Sequence, residues 1–270
     1  MKLHTVTITG ADDTTDIQQL ADLSAEFPFV EWGILVSKSR EGGPRVPSRL
    51  WIDKLGQAII GGGHLRTAMH LCGRWMRELL TGDIVWEELP SVANFAATFQ
   101  FNTHGMSVDP NPERFLSQLS SRRAMRTFIF QWNSFSEPLA RLAHERGFNV
   151  TGLFDGSGGT GKLPESGWPS PQDIPFPMGF AGGLGPDNVL DQLGKIHAAC
   201  GDRHYNTWID MEGRMRSDDG TQLDLSKVRK VLELVVKSGC LCESRQLVIE
   251  TTHSIRVSRE FVERIERRSE

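Results

Sequence analysis

Acidic side chains that end apolar, strand-like segments are the strongest candidates for chemistry in this 270-residue sequence. Asp155 follows Leu153-Phe154, and Asp210 follows Trp208-Ile209. A carboxylate at a buried strand end is costly unless it is hydrogen-bonded or has a role. We therefore predict that both carboxyl groups belong to a catalytic site as proton donors or acceptors. The alternative is that each one caps its own loop.

A histidine and a cysteine share one face of another strand-like segment, Arg66–Cys72. Alternate residues of a strand point the same way, so His70 and Cys72 lie side by side near its end. An imidazole titrates near pH 6.5, at about the right pH for acid–base work, and a thiol becomes a thiolate if its pKa is depressed. Both residues are candidate bases, with packing inside the fold as the alternative.

Short apolar stretches alternate with helical patterns along the chain. Eight of these stretches are predicted to be strands: Thr5–Thr9, Val30–Ser37, Arg66–Cys72, Ala97–Phe101, Thr127–Gln131, Asn149–Phe154, Pro177–Ala181 and Tyr205–Ile209. Eight strands that alternate with helices, about 30 residues apart, predict a closed parallel (β/α)8 TIM barrel in a single domain. An open doubly wound sheet is the competing interpretation.

The barrel is expected over about residues 4–238, with a C-terminal extension over about 240–270. The extension is more chain than eight βα units need. Its segment Val257–Arg267 predicts a helix that closes one end of the barrel.

Composition excludes several classes of protein. The net charge is −4, whereas a nucleic-acid binder usually carries a positive surplus. The sequence has no run of about 20 apolar residues that could span a bilayer, and its first residues lack a signal-peptide core. We expect a cytoplasmic protein. Cys240 and Cys242 have no second ligand pair at zinc-finger spacing, so no metal is expected.

The glycine-rich segment Gly156–Lys162 matches a dinucleotide-binding pattern and nearly matches a nucleotide P-loop. Both motifs require a helix to begin at the last glycine, so that its N–H groups face the phosphates. Here Leu163-Pro164 follows, which resists a helix, and Leu163 stands where the P-loop has Ser or Thr. The segment is therefore predicted to be a flexible cover over the barrel mouth.

The same segment begins a resemblance to phosphoribosylanthranilate isomerases. In that family the sixth strand ends in Asp and is followed by Gly-Gly-(Thr/Ser)-Gly-Lys, which resembles Asp155 and Gly158–Lys162. The family's seventh strand runs into a Gly-Gly-Leu-x-Pro-(Glu/Asp)-Asn-Val motif, matched by Gly182–Val189. The segments Asp210–Gly213 and Thr7–Gly10 are similar to its eighth-strand turn and to its Lys-Ile-Cys-Gly. The matches cover little of strands two to five.

This resemblance implies a barrel that isomerises a phosphoribosyl amine by an Amadori rearrangement, without metal or organic cofactor. It assigns the general acid to Asp155 and implies a small phosphorylated metabolite as the ligand. Phosphate would lie on the backbone N–H groups of two turns and the glycine-rich segment, at Gly159, Gly182, Gly183, Glu212 and Gly213. Such a site suits the last loops of a TIM barrel.

The chain departs from the family at the catalytic base, a cysteine in the Lys-Ile-Cys-Gly motif. Thr9 stands there, and a threonine hydroxyl is a poor base at neutral pH. Cys72, His70 and Asp210 are the possible replacements. Two other residues are expected to bind substrate. Arg40 lies near the family's carboxylate-binding basic residue, although Arg45 is an alternative, and Gln100 lies at the rim.

Two functions therefore remain open at the level of sequence. One is an acid–base isomerase of a phosphorylated, sugar-type substrate. The other is a barrel that keeps the phosphate site, has lost the chemistry and binds a phosphorylated metabolite. A different barrel reaction is a third interpretation, because one fold supports many chemistries.

Overall fold

The computed structural model describes residues 1–123, 126–157, 161–201 and 204–242. Eight parallel strands pair in chain order into a closed barrel, β1 to β8, and β8 pairs with β1. The predicted TIM barrel is confirmed. The helix predicted at Val257–Arg267 lies outside the described residues.

The strands are β1 (Lys2–Thr9), β2 (Val30–Val36), β3 (Thr67–Leu71), β4 (Thr98–Phe101), β5 (Thr127–Gln131), β6 (Val150–Asp155), β7 (Met178–Ala181) and β8 (Asn206–Met211). The helices are α1 (Ile17–Glu26), α2 (Arg49–Ile60), α3 (Gly73–Thr81), α4 (Val92–Phe95), α5 (Pro112–Ser120), α6 (Glu137–Glu145), α7 (Val189–Cys200) and α8 (Leu225–Lys237). A 3₁₀ helix, Gly213–Met215, follows β8.

Local sequence fixes where several helices begin. Asp16, Ser48 and Asn111 are N-caps whose side chains accept backbone N–H groups at the starts of α1, α2 and α5. Such caps satisfy donors that the first helical turn leaves free. The sequence did not predict α4, which at four residues is too short to show a helical period.

The main core lies between the strands and the surrounding helices, and outward-facing residues such as Trp32, Phe101 and Phe128 are fully buried there. The barrel interior is different in its two halves. On the β5–β8 side a separate apolar cluster fills it, formed by Ile129, Leu153, Ala181 and Trp208.

The β1–β4 side of the interior is polar. Glu31 on β2 is buried and accepts hydrogen bonds from Thr7 Oγ1 (3.3 Å) and Thr98 Oγ1 (3.1 Å). Arg66 Nη2 lies 3.6 Å from the same carboxylate. The sequence analysis had not singled out this buried carboxylate, which lies below the barrel mouth.

The described helices are all too short or too polar to cross a bilayer.

Gly179 on β7 provides the space that the Trp208 ring occupies, because a Cβ at this position would overlap the indole. We expect Gly179→Ala to lower the free energy of unfolding by about 1–3 kcal/mol, the usual cost of overpacking. The matched control is Gly194→Ala on exposed α7, where no atom lies within 4 Å of the new Cβ. It should stabilise the protein by about 0.5–1 kcal/mol. Denaturant unfolding measures both, and equal effects would contradict the packing described here.

Candidate functional site

A cavity of about 490 Å³ opens at the carboxyl ends of the strands. Ten of the residues predicted from sequence line it: Arg40, His70, Cys72, Gln100, Asp155, Gly182, Gly183, Asp210, Glu212 and Gly213. Gly159 lies outside the described residues. The structure thus brings these residues together, while the role of each one stays a prediction.

Asp210 at the end of β8 is buried deep in this cavity. Thr9 Oγ1 donates to its Oδ1 at 2.8 Å. The pKa of Asp210 is raised to about 7, chiefly by burial; the nearby charges of Asp155 and Glu31 also raise it, while hydrogen bonds from Thr9 and Gln100 lower it. A carboxyl group with this pKa can both give up and take a proton near neutral pH.

Asp155 at the end of β6 is held by donors on both oxygens. Its Oδ1 accepts from the backbone N–H (3.2 Å) and hydroxyl (2.7 Å) of Ser157, and its Oδ2 accepts from Gln131 Nε2 at 3.2 Å. The Gln131 side chain is itself fixed, because its Oε1 accepts the N–H groups of Thr103 and His104. The carboxylate is therefore held in one orientation at the cavity wall.

Burial disfavours charge on two of the candidate bases, His70 on β3 and Cys72 just after it. It lowers the pKa of His70 to about 4, although the charges of Glu31 and Glu212 oppose this. It raises the pKa of Cys72 to about 11, although a hydrogen bond from Asn102 opposes this. At neutral pH the imidazole is neutral and Cys72 is a thiol. The hypothesis that Cys72 is a thiolate requires a depressed pKa, whereas the pKa of this thiol is raised. The sequence did not reveal how fully the thiol is buried.

The turn after β7 is built from glycines in the left-handed region. Gly182 has φ +107° and Gly183 has φ +68°, conformations that glycine adopts without strain. Asn188 braces the turn, since its Oδ1 accepts the N–H of Gly185 and its Nδ2 donates to the carbonyl of Gly183, both at 2.8 Å. Gly213, in the turn after β8, lines the same cavity.

Among the described residues, no acceptor takes the backbone N–H of Gly182, Gly183 or Gly213. Arg214 lies next to this pair of turns, with its side chain against Gly185. Free N–H groups on closely packed glycines and a neighbouring guanidinium form a favourable environment for an anion.

Arg45 is held in an unusual backbone conformation at the rim. Its φ of +71° is the one positive value among the described residues other than glycine. Its N–H donates to Asp12 Oδ2 at 2.9 Å, and its Nη1 pairs with Glu212 Oε1 at 3.0 Å. The turn thus directs this guanidinium into the cavity. Arg40 also lines the cavity and has no acidic partner within the part of the chain that the structure describes.

The glycine-rich segment after β6 does not continue into a helix. Residues 161–177 contain only turns and irregular backbone, as the Leu163-Pro164 pair predicted. The backbone at Lys162 and Leu163 lies against Gly183, so this segment borders the turn after β7. The described residues contain no group of three or more His, Cys, Asp or Glu side chains placed to hold a metal ion.

Comparison with solved structures finds phosphoribosyl anthranilate isomerases. The enzyme from Thermus thermophilus aligns with a TM-score of 0.51 and 15% identity, over 86% of this chain and 98% of that chain. The one from Thermotoga maritima gives a TM-score of 0.50 and 14% identity, with the same coverage of both chains. The likeness is one of fold. No protein-family model and no curated protein sequence matches the chain.

Some residues that shape the site could not be recognised from the sequence. Gly33 on β2 and Glu31 were not noticed, and Thr9 was treated only as a missing base. The threonines at alternate positions of β1, Thr7 and Thr9, were the available signal, because they mark the inward face of the strand as polar. Their partners could not be read from the sequence, since those partners lie on distant strands.

The raised pKa of Asp210 makes stability depend on pH. A carboxyl group whose pKa is higher in the folded than in the unfolded state stabilises the fold at low pH, and this contribution is lost as pH rises through the folded-state pKa. We expect this loss between about pH 4 and pH 7, with an upper limit of about 4 kcal/mol. In Asp210→Asn this part of the pH dependence should disappear. Urea unfolding of both proteins from pH 4 to pH 8 measures it, and parallel curves would refute the assignment.

Proposed function

We propose that this protein is an acid–base isomerase of a small phosphorylated substrate, of a sugar type or with an open-chain carbonyl, bound at the barrel mouth. One observation carries the proposal. Two carboxyl groups, Asp155 and Asp210, share a cavity with the glycine turns after β7 and β8. The resemblance in sequence motifs supports it from a separate direction.

In this proposal Asp155 is the general acid and Asp210 the general base. Asp155 would protonate the oxygen at which the sugar ring opens, and Asp210 would take the proton from the neighbouring carbon. A pKa of about 7 makes Asp210 a stronger base than an ordinary carboxylate while leaving much of it ionised at neutral pH. Asp210 is thus our choice among the three possible bases, ahead of the thiol of Cys72 and the neutral ring of His70.

The phosphate would bind at the N–H groups of Gly182, Gly183 and Gly213, with Arg214 beside them. Backbone amides on glycines let an anion approach closely, and loops after strands seven and eight of TIM barrels commonly bind phosphate. The substrate's other end would then extend toward Gln100 and Arg40 across the cavity. A phosphate held at one end would keep the reacting carbons between the two carboxyl groups.

Turnover tests the two catalytic roles. A panel of phosphorylated sugars and sugar amines, including phosphoribosylanthranilate, is assayed directly, and the gene is tested for rescue of a tryptophan auxotroph that lacks the isomerase. We expect Asp155→Asn and Asp210→Asn each to lower kcat by about 10²–10⁴-fold with little change in ligand affinity. In the unchanged protein kcat/KM should rise with pH through about 7, as Asp210 ionises.

Ligand-dependent stabilisation without turnover across the panel would instead favour the binding barrel. Thr9→Cys, assayed in parallel, shows whether restoring the family's cysteine adds activity. Full activity in Asp155→Asn would rule out the acid assignment, and a rate that falls above pH 7 would make Asp210 the acid.

Inorganic phosphate tests the anion site independently of chemistry. We expect phosphate to stabilise the protein against heat, and Gly183→Ala to lose this effect, because a side chain at φ +68° is strained and would strike the Lys162–Leu163 backbone. The matched control is Gly167→Ala, which has a similar φ of +79° but no atom within 4 Å of the new Cβ. Phosphate stabilisation that survives in Gly183→Ala, or disappears in both variants, would contradict the site.

A further inference from the structure

A small gap in the barrel wall lies between two side chains of the polar half, Thr9 and His70. Gly33 on β2 lies opposite Thr9 in the β1–β2 pairing. A Cβ at Gly33 would overlap Thr9 Oγ1 and would lie 2.8 Å from His70 Cε1 and 3.0 Å from His70 Nε2. The space of this missing side chain is thus filled from two sides, by a hydroxyl and by an imidazole edge.

His70 borders the gap with its ring edge. Its Nδ1 lies 3.3 Å from Gln100 Nε2, which donates to Asn102 Oδ1 at 3.0 Å. Its Nε2 is buried, faces the gap and has no hydrogen-bond partner among the described residues.

Thr9 lies on the other side of the gap. Its hydroxyl donates to Asp210 Oδ1 at 2.8 Å, and no hydrogen bond joins this hydroxyl to His70 Nε2. All three side chains are at least nine-tenths buried, with exposed fractions of 1% for His70, 2% for Thr9 and 8% for Asp210. In such a dry environment a directed donor has a large effect on a carboxylate.

We propose that Thr9 is a positioning residue that orients the Asp210 carboxyl group for proton transfer, and that Gly33 is required because only its missing side chain leaves room for the Thr9 hydroxyl beside His70. The inference rests on the proposed role of Asp210 as the base. It gives Thr9 a function that is distinct from the base it replaces: the hydroxyl holds the carboxylate by a direct hydrogen bond.

Other ionisable groups also act on Asp210 and must be kept constant in a test. They come from several elements of the barrel and are Asp155 on β6, Glu31 on β2 and Glu212 after β8, which in turn pairs with Arg45. The variants below alter only uncharged or neutral side chains, so the charges around the carboxyl group are preserved.

The test measures the titration of Asp210 directly, by the carboxyl ¹³C shift of labelled aspartate, with Asp210→Asn identifying the signal. Loss of a donor to the charged form raises a carboxyl pKa. We expect Thr9→Val to raise the pKa of Asp210 by about one unit and Thr9→Ser to restore it. Thr151→Val is the control, since it removes another buried hydroxyl of the barrel, outside the cavity lining, that has no partner among the described residues.

Gly33→Ala tests the gap itself and should shift Asp210 as Thr9→Val does, with circular dichroism to confirm folding. If it does not fold, the threonine variants decide alone. An unchanged Asp210 pKa in Thr9→Val, or an equal shift in Thr151→Val, would overturn the inference.

The titration needs no substrate, so its outcome is separate from that of the proposed function. If an isomerase substrate is found, Thr9→Val should lower kcat about tenfold and leave KM nearly unchanged, and Thr9→Ser should recover the rate. A shifted Asp210 pKa without any turnover would contradict the proposed reaction and leave the positioning role of Thr9 intact. A normal kcat in a Thr9→Val protein whose Asp210 pKa is shifted would contradict the positioning role and leave the proposed reaction intact.

Discussion

The pairing of β1 with β8 is the constraint on which the rest of the site depends. It closes the ring and sets Thr7 opposite Asp210 in the register, which places the Thr9 hydroxyl within hydrogen-bonding distance of a carboxyl group 201 positions away. Just beyond the strand ends, Arg216 donates to the carbonyl of Gly10 at 2.7 Å and to Asp12 Oδ2 at 3.3 Å. The first and last turns of the barrel mouth are thereby joined into one unit.

Closure also decides how charge is buried. The interior contains carboxyl groups on its polar side that accept hydrogen bonds from threonine hydroxyls: Glu31 from Thr7 and Thr98, and Asp210 from Thr9. Asp210 nonetheless has a strongly raised pKa, so these donors compensate only part of the cost of burial. A carboxyl group kept in this condition reduces stability at neutral pH, and groups of this kind are concentrated at functional sites. The apolar cluster on the other side of the interior supplies packing that a fully polar interior would lack.

Much of this architecture could be predicted from the sequence because it depends on local rules. Strand and helix periods, N-caps such as Ser48 and the position of Asp155 and Asp210 at strand ends all follow from neighbouring residues. Properties that depend on closure could not be predicted. The direction of the Cys72 pKa depends on how fully the barrel covers the thiol, and the use of Gly33 depends on side chains contributed by β1 and β3. A single Glu31 within an apolar strand gave no sign of partners on strands that are distant in sequence.

The uneven interior has a consequence for biosynthesis. A ribosome releases the strands in order, and the inner face of the first half is the one with Thr7, Glu31, Thr98 and Gln100. Until the later strands are made, water can solvate these groups. The inner face of the incomplete half-ring is therefore polar and favours little hydrophobic association with other nascent chains. The apolar inner residues Ile129, Leu153, Ala181 and Trp208 are synthesised later, when the strands of the first half are already present to pack against.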